Sequence, residues 1–247
     1  WSSAAPVLSG QSRYQYEGLD SFSPTLLRPN ERRRTTPLIK LALRVAEQAV
    51  NQSKLKAENL ASVFASSDGD TDIIEKICHA VNMADQPVSP TQFHNSVHNA
   101  PAGYWAIATG SQLPSSSISA GDYSFAIGLL EAASLVQQIN QPVISVCYDI
   151  VAPFPFTDLA RHSETFGCAF ILSPTEENPC MARLSFQMGP DKPASMLEGE
   201  LERLRQSNPA GRCLPLLQLL AQQTESAVIL PSGPDSTLTI KVDHVSR

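Results

Sequence analysis

Apolar and polar positions run in blocks that switch between the helical and the strand period. Behind Thr36-Pro37, the residues Leu38, Leu41, Ala42, Val45, Ala49 and Val50 form one apolar stripe at helical spacing. A helix is predicted there, with proline at a permitted first-turn position. Leu60 to Ser66 reads as a buried strand, and Ser66-Ser67-Asp68-Gly69-Asp70 as the turn after it. Thr71 or Asp72 is placed to cap a following helix that displays Ile73, Ile74, Ile77, Ala80 and Val81. This succession predicts a parallel sheet with crossover helices. Past a Pro-rich loop over 85–92, Ser116 to Ser119 has strand propensity and turns sharply through Ala120-Gly121. It feeds a helix from Phe125 to Ile139 that is apolar almost all round, with Glu131 its only charge after the first turn. A helix without a polar face belongs inside a fold. Strand, small-residue turn and buried helix together have the geometry of a nucleophile elbow, which aims one side chain at a helix N-terminus.

The remaining blocks are shorter. Pro142 to Tyr148, Phe166 to Leu172 and Met181 to Met188 are predicted strands, and Ala152 to Phe156 is a constrained turn bearing two aromatics. From Lys192 onward there are two helices, Ala194 to Gln206 and Leu214 to Thr224, and a candidate strand from Leu238 to Val242. Residues 1–34 are rich in Ser, Pro and Tyr and irregular.

Composition narrows the function classes. With 42% hydrophobic and 17% charged residues in 247, the chain can bury a core as a globular protein. A net charge of −6 argues against nucleic-acid binding by bulk electrostatics. No apolar run reaches membrane-spanning length and no signal-peptide pattern is read at the start. Five scattered cysteines (Cys78, Cys147, Cys168, Cys180, Cys213) fit reduced structural thiols in a cytoplasm rather than a disulfide framework or zinc site.

Candidate chemistry is sparse. Arg32, Arg33 and Arg34 after Glu31 read either as a solvated basic turn or as a docking patch for an acidic carrier protein or partner subunit. His94 and His98 are four apart, but no third ligand stands near and Pro101 breaks the helix that would align them. No metal site is assigned, and local polar bonding by His and Asn is expected instead. Ser119 and Ser124 flank the elbow, so an acyl hydrolase or transferase is a second class to weigh; no G-x-S-x-G motif accompanies them. Asp122 opens the elbow helix and is expected to cap it.

The elbow resembles that of the β-ketoacyl synthases of the thiolase fold, which reads like S-I-S-T-A-C-A-T-S with the catalytic Cys opening the helix. Ser117-Ile118-Ser119 match, Ala120-Gly121 stand for Thr-Ala, and Asp122 stands where the Cys should be. Asn95-Ser96-Val97-His98-Asn99-Ala100-Pro101-Ala102-Gly103 is similar to the family's N-S-x-x-N-A-x-A-G block just before the elbow. A Cys at a helix N-terminus is driven toward thiolate. A carboxylate there is a poor nucleophile, and an acyl-aspartate would be an anhydride, no stable acyl carrier. The family's second-half histidines lie in H-G-T-G-T and G-H-N blocks. After the elbow this chain has only His162 and His244, in neither context.

The resemblance implies an α/β, thiolase-like first half with a mixed sheet sandwiched by helices. It implies a single domain over 1–247, with a core at 30–188 and a reduced C-terminal tail at 189–247, too short for the missing half. It is closest to the chain length factors of aryl polyene type II polyketide systems, including the N-terminal Trp-Ser. It therefore implies a non-catalytic subunit that forms a heterodimer with an active β-ketoacyl synthase, meets acyl carrier protein through that complex, and needs no cofactor. Ser115, Ser116, Ser117, Ile118 and Ser119 would pair across the dimer axis. Asp68, Ile73, Ile77, Phe93 and Tyr104 would close the partner's acyl tunnel. A structural scaffold that leaves chain length untouched is the third reading. A half-fold is also expected to expose an apolar face.

Overall fold

A computed structural model describes all residues except 16–17, 20–21, 84–86, 159–162, 176–179, 191, 194–198 and 246–247. In chain order the elements are α1 (Ala4–Leu8), α2 (Pro29–Arg34), α3 (Pro37–Gln52), β1 (Ala61–Ala65), α4 (Thr71–Asn82), α5 (Pro90–Asn95), α6 (Ala100–Thr109) and β2 (Ser115–Ile118). There follow α7 (Ser124–Ile139), β3 (Val143–Asp149), β4 (Phe166–Leu172), β5 (Ala182–Gly189), α8 (Gly199–Ser207), α9 (Leu214–Gln222), β6 (Ser226–Gly233) and β7 (Ser236–His244). Short 3-10 turns at Gly121–Tyr123 and Pro209–Cys213 lead into α7 and α9. No described helix is long and apolar enough to cross a membrane.

Local chemistry starts and stops the helices. Thr36 caps α3 by accepting from Ile39 N at 3.2 Å. For α4 the cap is Asp70, one residue before Thr71, and its carboxylate accepts from Ile73 N at 3.2 Å. Asp70 reaches an amide that Thr71 and Asp72, already inside the helix, do not. Gly110 (φ 72°) ends α6 in the left-handed conformation that glycine adopts at least cost.

One sheet has the order β2-β1-β3-β4. β1 lies parallel to both β2 and β3, while β4 returns antiparallel to β3. The sheet is therefore mixed, and only its first three strands are the parallel set that the crossover pattern predicts. Both faces of its central strands are covered. Phe64, Ile144, Val146 and Tyr148 meet Leu38, Ile39, Ala42 and Leu43 of α3 and Tyr104 and Trp105 of α6. On the other face Ala61, Val63 and Val143 meet Ala132, Leu135 and Val136 of α7. Alternate residues thus serve opposite layers, which is why β1 and β3 read as continuous apolar runs.

The far side of α7 is not left open. Phe125, Ala126 and Leu129 pack with Leu216, Leu219 and Leu220 of α9 and with Val228, Leu230, Leu238, Ile240 and Val242. Those last five belong to a second, antiparallel sheet of order β5-β7-β6. The sequence reading places β5 in the core and β7 in the tail, yet they are hydrogen-bonded along their length, from Ala182↔His244 to Gly189↔Thr237. β6 has no counterpart among the predicted strands, and it forms a hairpin with β7. Outward positions of this sheet are polar: Arg183, Ser185, Gln187 and Lys241 are exposed between the buried or half-buried Leu184, Phe186, Ile240 and Val242. Polar residues thus occupy the outward positions of β5, although Met188 on that strand is 47% exposed.

Candidate functional site: the elbow and the surface beside it

β1, β2 and β3 run parallel, so their carboxyl ends gather at one end of the sheet, where α/β folds build sites. The chain leaves β2 through Ser119 and Ala120, and Gly121 takes φ +55° to make the turn. Ser119 Oγ donates to Ser67 O at 2.6 Å, tying this turn to the one after β1. Ser124 Oγ donates to Gly121 O at 2.7 Å and accepts from Ala120 N at 3.0 Å, so this hydroxyl closes the elbow on itself. Both elbow hydroxyls thus hold backbone in place. Gly128, one turn into α7, sits so close to β1 that a Cβ there would lie 2.7 Å from Ala65 Cβ.

Asp122 is in the 3-10 turn, and Tyr123, not Asp122, is the N-cap of α7. The capping expectation is corrected on this point. Its carboxylate instead lies 3.3 Å from the Arg212 guanidinium, a pair in which the arginine is largely buried. Arg212 also donates to Arg205 O at 2.7 Å, so the segment after α8 is strapped onto the elbow. Gly211 makes this approach sterically feasible, because a Cβ there would lie 2.9 Å from Leu204 O.

Behind the elbow lies a buried polar hub. Asp149 accepts from Ser66 Oγ and Ser67 N, both at 2.8 Å. Asn208, fully buried, donates to Asp149 O and Glu164 O at 3.1 and 2.7 Å and accepts from Ala210 N at 2.8 Å. Burial pushes the Asp149 carboxyl up to about 7 and lifts the Tyr148 hydroxyl and Cys147 thiol as well. The Cys168 thiol is raised by its hydrogen bond with Cys213 and by burial.

The proposed tunnel residues fall into two groups. Ile73 and Tyr104 are core residues; Tyr104 donates to Asn95 Oδ1 at 3.1 Å. Asp68 is exposed, Ile77 half-buried, and the Phe93 ring is 67% exposed on α5. Exposed large apolar side chains on and just beyond α4 and α5 include Ile74, Val81, Met83, Phe93 and Val97, interspersed with exposed polar residues such as Lys76, His79 and His94. His94 and His98 serve different neighbours: His94 meets the Tyr104 ring edge-on, and His98 Nε2 lies 3.1 Å from Ser66 O. Asn95 Nδ2 donates to Arg34 O at 2.7 Å, so the expected polar bonding at this junction is present. Of the three arginines, Arg32 turns inward and donates to Leu27 O at 2.9 Å, whereas Arg33 and Arg34 are exposed. Ser115–Ile118 is an edge strand, paired on one side with β1. His162 lies outside the described residues.

The family model "Beta-ketoacyl synthase, N-terminal domain" matches residues 10–232. The chain belongs to the β-ketoacyl synthase family. Among curated proteins none matches. Among solved structures, a chain of the ketosynthase (ApeO) in complex with its chain length factor (ApeC) from Xenorhabdus doucetiae superposes with a TM-score of 0.72 at 21% identity, covering 98% of this chain and 92% of that one. A chain of the ishigamide ketosynthase/chain length factor gives 0.67 at 14% identity, covering 93% and 86%. A chain of the type II complex AntDE:AntF, an acyl-carrier protein with its ketosynthase, gives 0.71 at 11% identity, covering 92% and 89%. These likenesses carry the fold: a ketosynthase-like first half closed by a small second sheet. Within this ketosynthase-like frame, sequence reasoning missed Arg212, Asn208 and Asp149. Only Asn208-Pro209 carried a local signal, that of a turn.

Proposed function

We propose that this chain is a non-catalytic, chain-length-factor-like subunit that pairs with an active β-ketoacyl synthase and helps shape its acyl tunnel. The observation that carries the reading is the elbow: where the resembled enzymes place a nucleophilic Cys, Asp122 stands ion-paired with Arg212. A carboxylate held by a guanidinium is a weak nucleophile, and Ser119 and Ser124 spend their hydroxyl protons on backbone carbonyls. That also weighs against the hydrolase reading, which needs a serine hydrogen-bonded to a base.

Two surfaces suit the partner. The open edge of β2, Ser115–Ile118 with Ser119 after it, can continue a neighbour's sheet. The exposed apolar side chains of α4 and α5, Ile74, Val81 and Phe93 among polar neighbours, offer the second contact surface in this reading. In this arrangement Phe93, Ile77 and Asp68 reach toward the partner's tunnel, with Ile73 and Tyr104 backing them from the core. Arg33 and Arg34 form the docking patch for an acidic acyl carrier protein, Arg32 being occupied within the fold. The whole of 1–247 acts as one domain, its tail completing the core.

The test is native mass spectrometry of the chain alone and with the ketosynthase encoded beside it. A one-to-one complex supports the reading, and a stable lone monomer or homodimer that ignores the ketosynthase overturns it. Within the complex, Phe93→Ala is expected to lengthen the product. An unchanged product length across substitutions at all five tunnel positions would leave only a structural scaffold.

A further inference from the structure

One buried side chain holds two successive residues of the turn between β1 and α4. Asp149 is 2% exposed and accepts both of its hydrogen bonds, from Ser66 and Ser67, through Oδ1. Ser66 Oγ accepts in turn from Gly69 N at 3.1 Å, which folds the turn back on itself. Ser66 O meets His98 Nε2, and Ser67 O accepts from Ser119. Two residues thus connect α4, the α5–α6 junction and the elbow to a single carboxyl group.

The other oxygen, Oδ2, is buried and accepts no hydrogen bond of good geometry; the Ala210 amide donates to Asn208 Oδ1 at 2.8 Å, though it lies near enough to Asp149 to favour the anion in part. Such an oxygen is tolerable on a neutral acid and costly on an anion. The surroundings favour the neutral form. Burial is the largest influence on this carboxyl and raises it, and the Asp68 carboxylate raises it further, against the bonds from Ser66 and Ser67 and a weaker pull from the Ala210 amide. Cys147 and Tyr148 on β3 and Cys168 on β4 are themselves raised in part by the Asp149 charge. His98 approaches through Ser66 O, while Asn208 links the main-chain carbonyls of Asp149 and Glu164 and involves neither carboxyl group. From the 3-10 turn before α9, Arg212 is engaged by Asp122 and Cys213 by Cys168.

We propose that Asp149 makes Ser66–Asp70 a proton-operated hinge: the neutral acid keeps the turn closed, and ionisation opens it, letting water reach Oδ2 and loosening α4 from the sheet. The hinge is a property of this chain by itself. Its corollary, that partner binding through α4 is tighter below pH 7 than above it, rests on the function proposed above.

The experiment is amide hydrogen exchange of the full chain from pH 5 to 9, corrected for intrinsic rates, with Asp149→Asn as the permanently neutral reference. With the carboxyl at about 7 when closed and at its ordinary value of 3.8 when open, the opening constant of 66–73 rises about 10-fold from pH 6 to 8, about 90-fold from pH 5 to 8, and levels off above. The Asp149→Asn protein shows neither rise nor plateau. A flat profile in the wild type overturns the hinge, as does a rise shared equally by β1 and β3, which would be global unfolding. Should the Asp149→Asn variant fail to fold, Ser66→Ala serves: losing a bond that favours the anion moves the plateau to higher pH, and an unmoved plateau refutes the proposal. None of these outcomes depends on a ketosynthase being present.

Discussion

Gly128→Ala is a direct test of how α7 is seated on the first sheet. The added methyl would lie 2.7 Å from Ala65 Cβ, about 1 Å closer than two methyl groups tolerate at ordinary carbon–carbon contact. Ala65 is 1% exposed on a strand covered on both faces, so it cannot swing aside. Helix or strand has to shift, and forcing one extra carbon into a packed core costs about 1–3 kcal/mol. Against this, alanine in a helix interior is favoured over glycine by about 1 kcal/mol. The net expectation is a loss of about 0–2 kcal/mol, too small a range to be decisive alone. The decisive quantity is the sign change in the Ala65→Gly background. There the clash is absent, only propensity remains, and Gly128→Ala is expected to stabilise by about 1 kcal/mol. Urea unfolding of the four proteins, followed by circular dichroism, gives the coupling directly. An effect of Gly128→Ala that is equal in both backgrounds would refute the contact as the reason for a glycine at that position.

Two further expectations concern the buried hub. Asn208→Ala removes the partner of two buried main-chain groups and one part-buried one, so a loss of about 2–4 kcal/mol in unfolding free energy is expected; a loss below about 1 kcal/mol would show that water or rearrangement replaces it. For Asp149, the folded-state carboxyl at about 7 lies above its ordinary value of 3.8. Its stabilising contribution is therefore complete below about pH 4 and is lost as pH rises through 7, by about 4 kcal/mol at most. Hinge opening reduces that figure. Asp149→Asn should flatten the decline between pH 5 and 8 in urea unfolding, and a parallel decline in both proteins would assign it to other groups.

How much of this was legible in the chain depends on whether the cause was local. α7 announced itself because a helix apolar on nearly every side has only one place to go, and it lies between the two sheets as that logic demands. β1 and β3 were readable for the same reason, being covered on both faces. β6 was not, since Pro231 interrupts its run and its partner β7 is what makes it a strand; the Gly233-Pro234-Asp235-Ser236 turn was the available clue. The second sheet as a whole was invisible, because β5 finds β7 nearly the length of the tail away. The site divides in the same manner. The elbow was plain from a dozen contiguous residues, but the fate of Asp122 was decided by Arg212, 90 positions on. Asp149 meets Ser66 from 83 positions away. A charged residue at a helix start looks like a cap until the strap that neutralises it is folded into place.

Strands β5 and β7 carry two messages that do not interfere. Their inward residues specify the core against α7, while Arg183, Ser185, Gln187 and Lys241 are exposed on the opposite face, Lys241 paired with Asp243 at 2.8 Å. The outward set can drift, carry a dye or be recoded for solubility without altering the packing that seats the elbow. A molecule that would label this chain with little disturbance should be attached there, at Ser185 or Gln187, which are exposed on the face turned from the core.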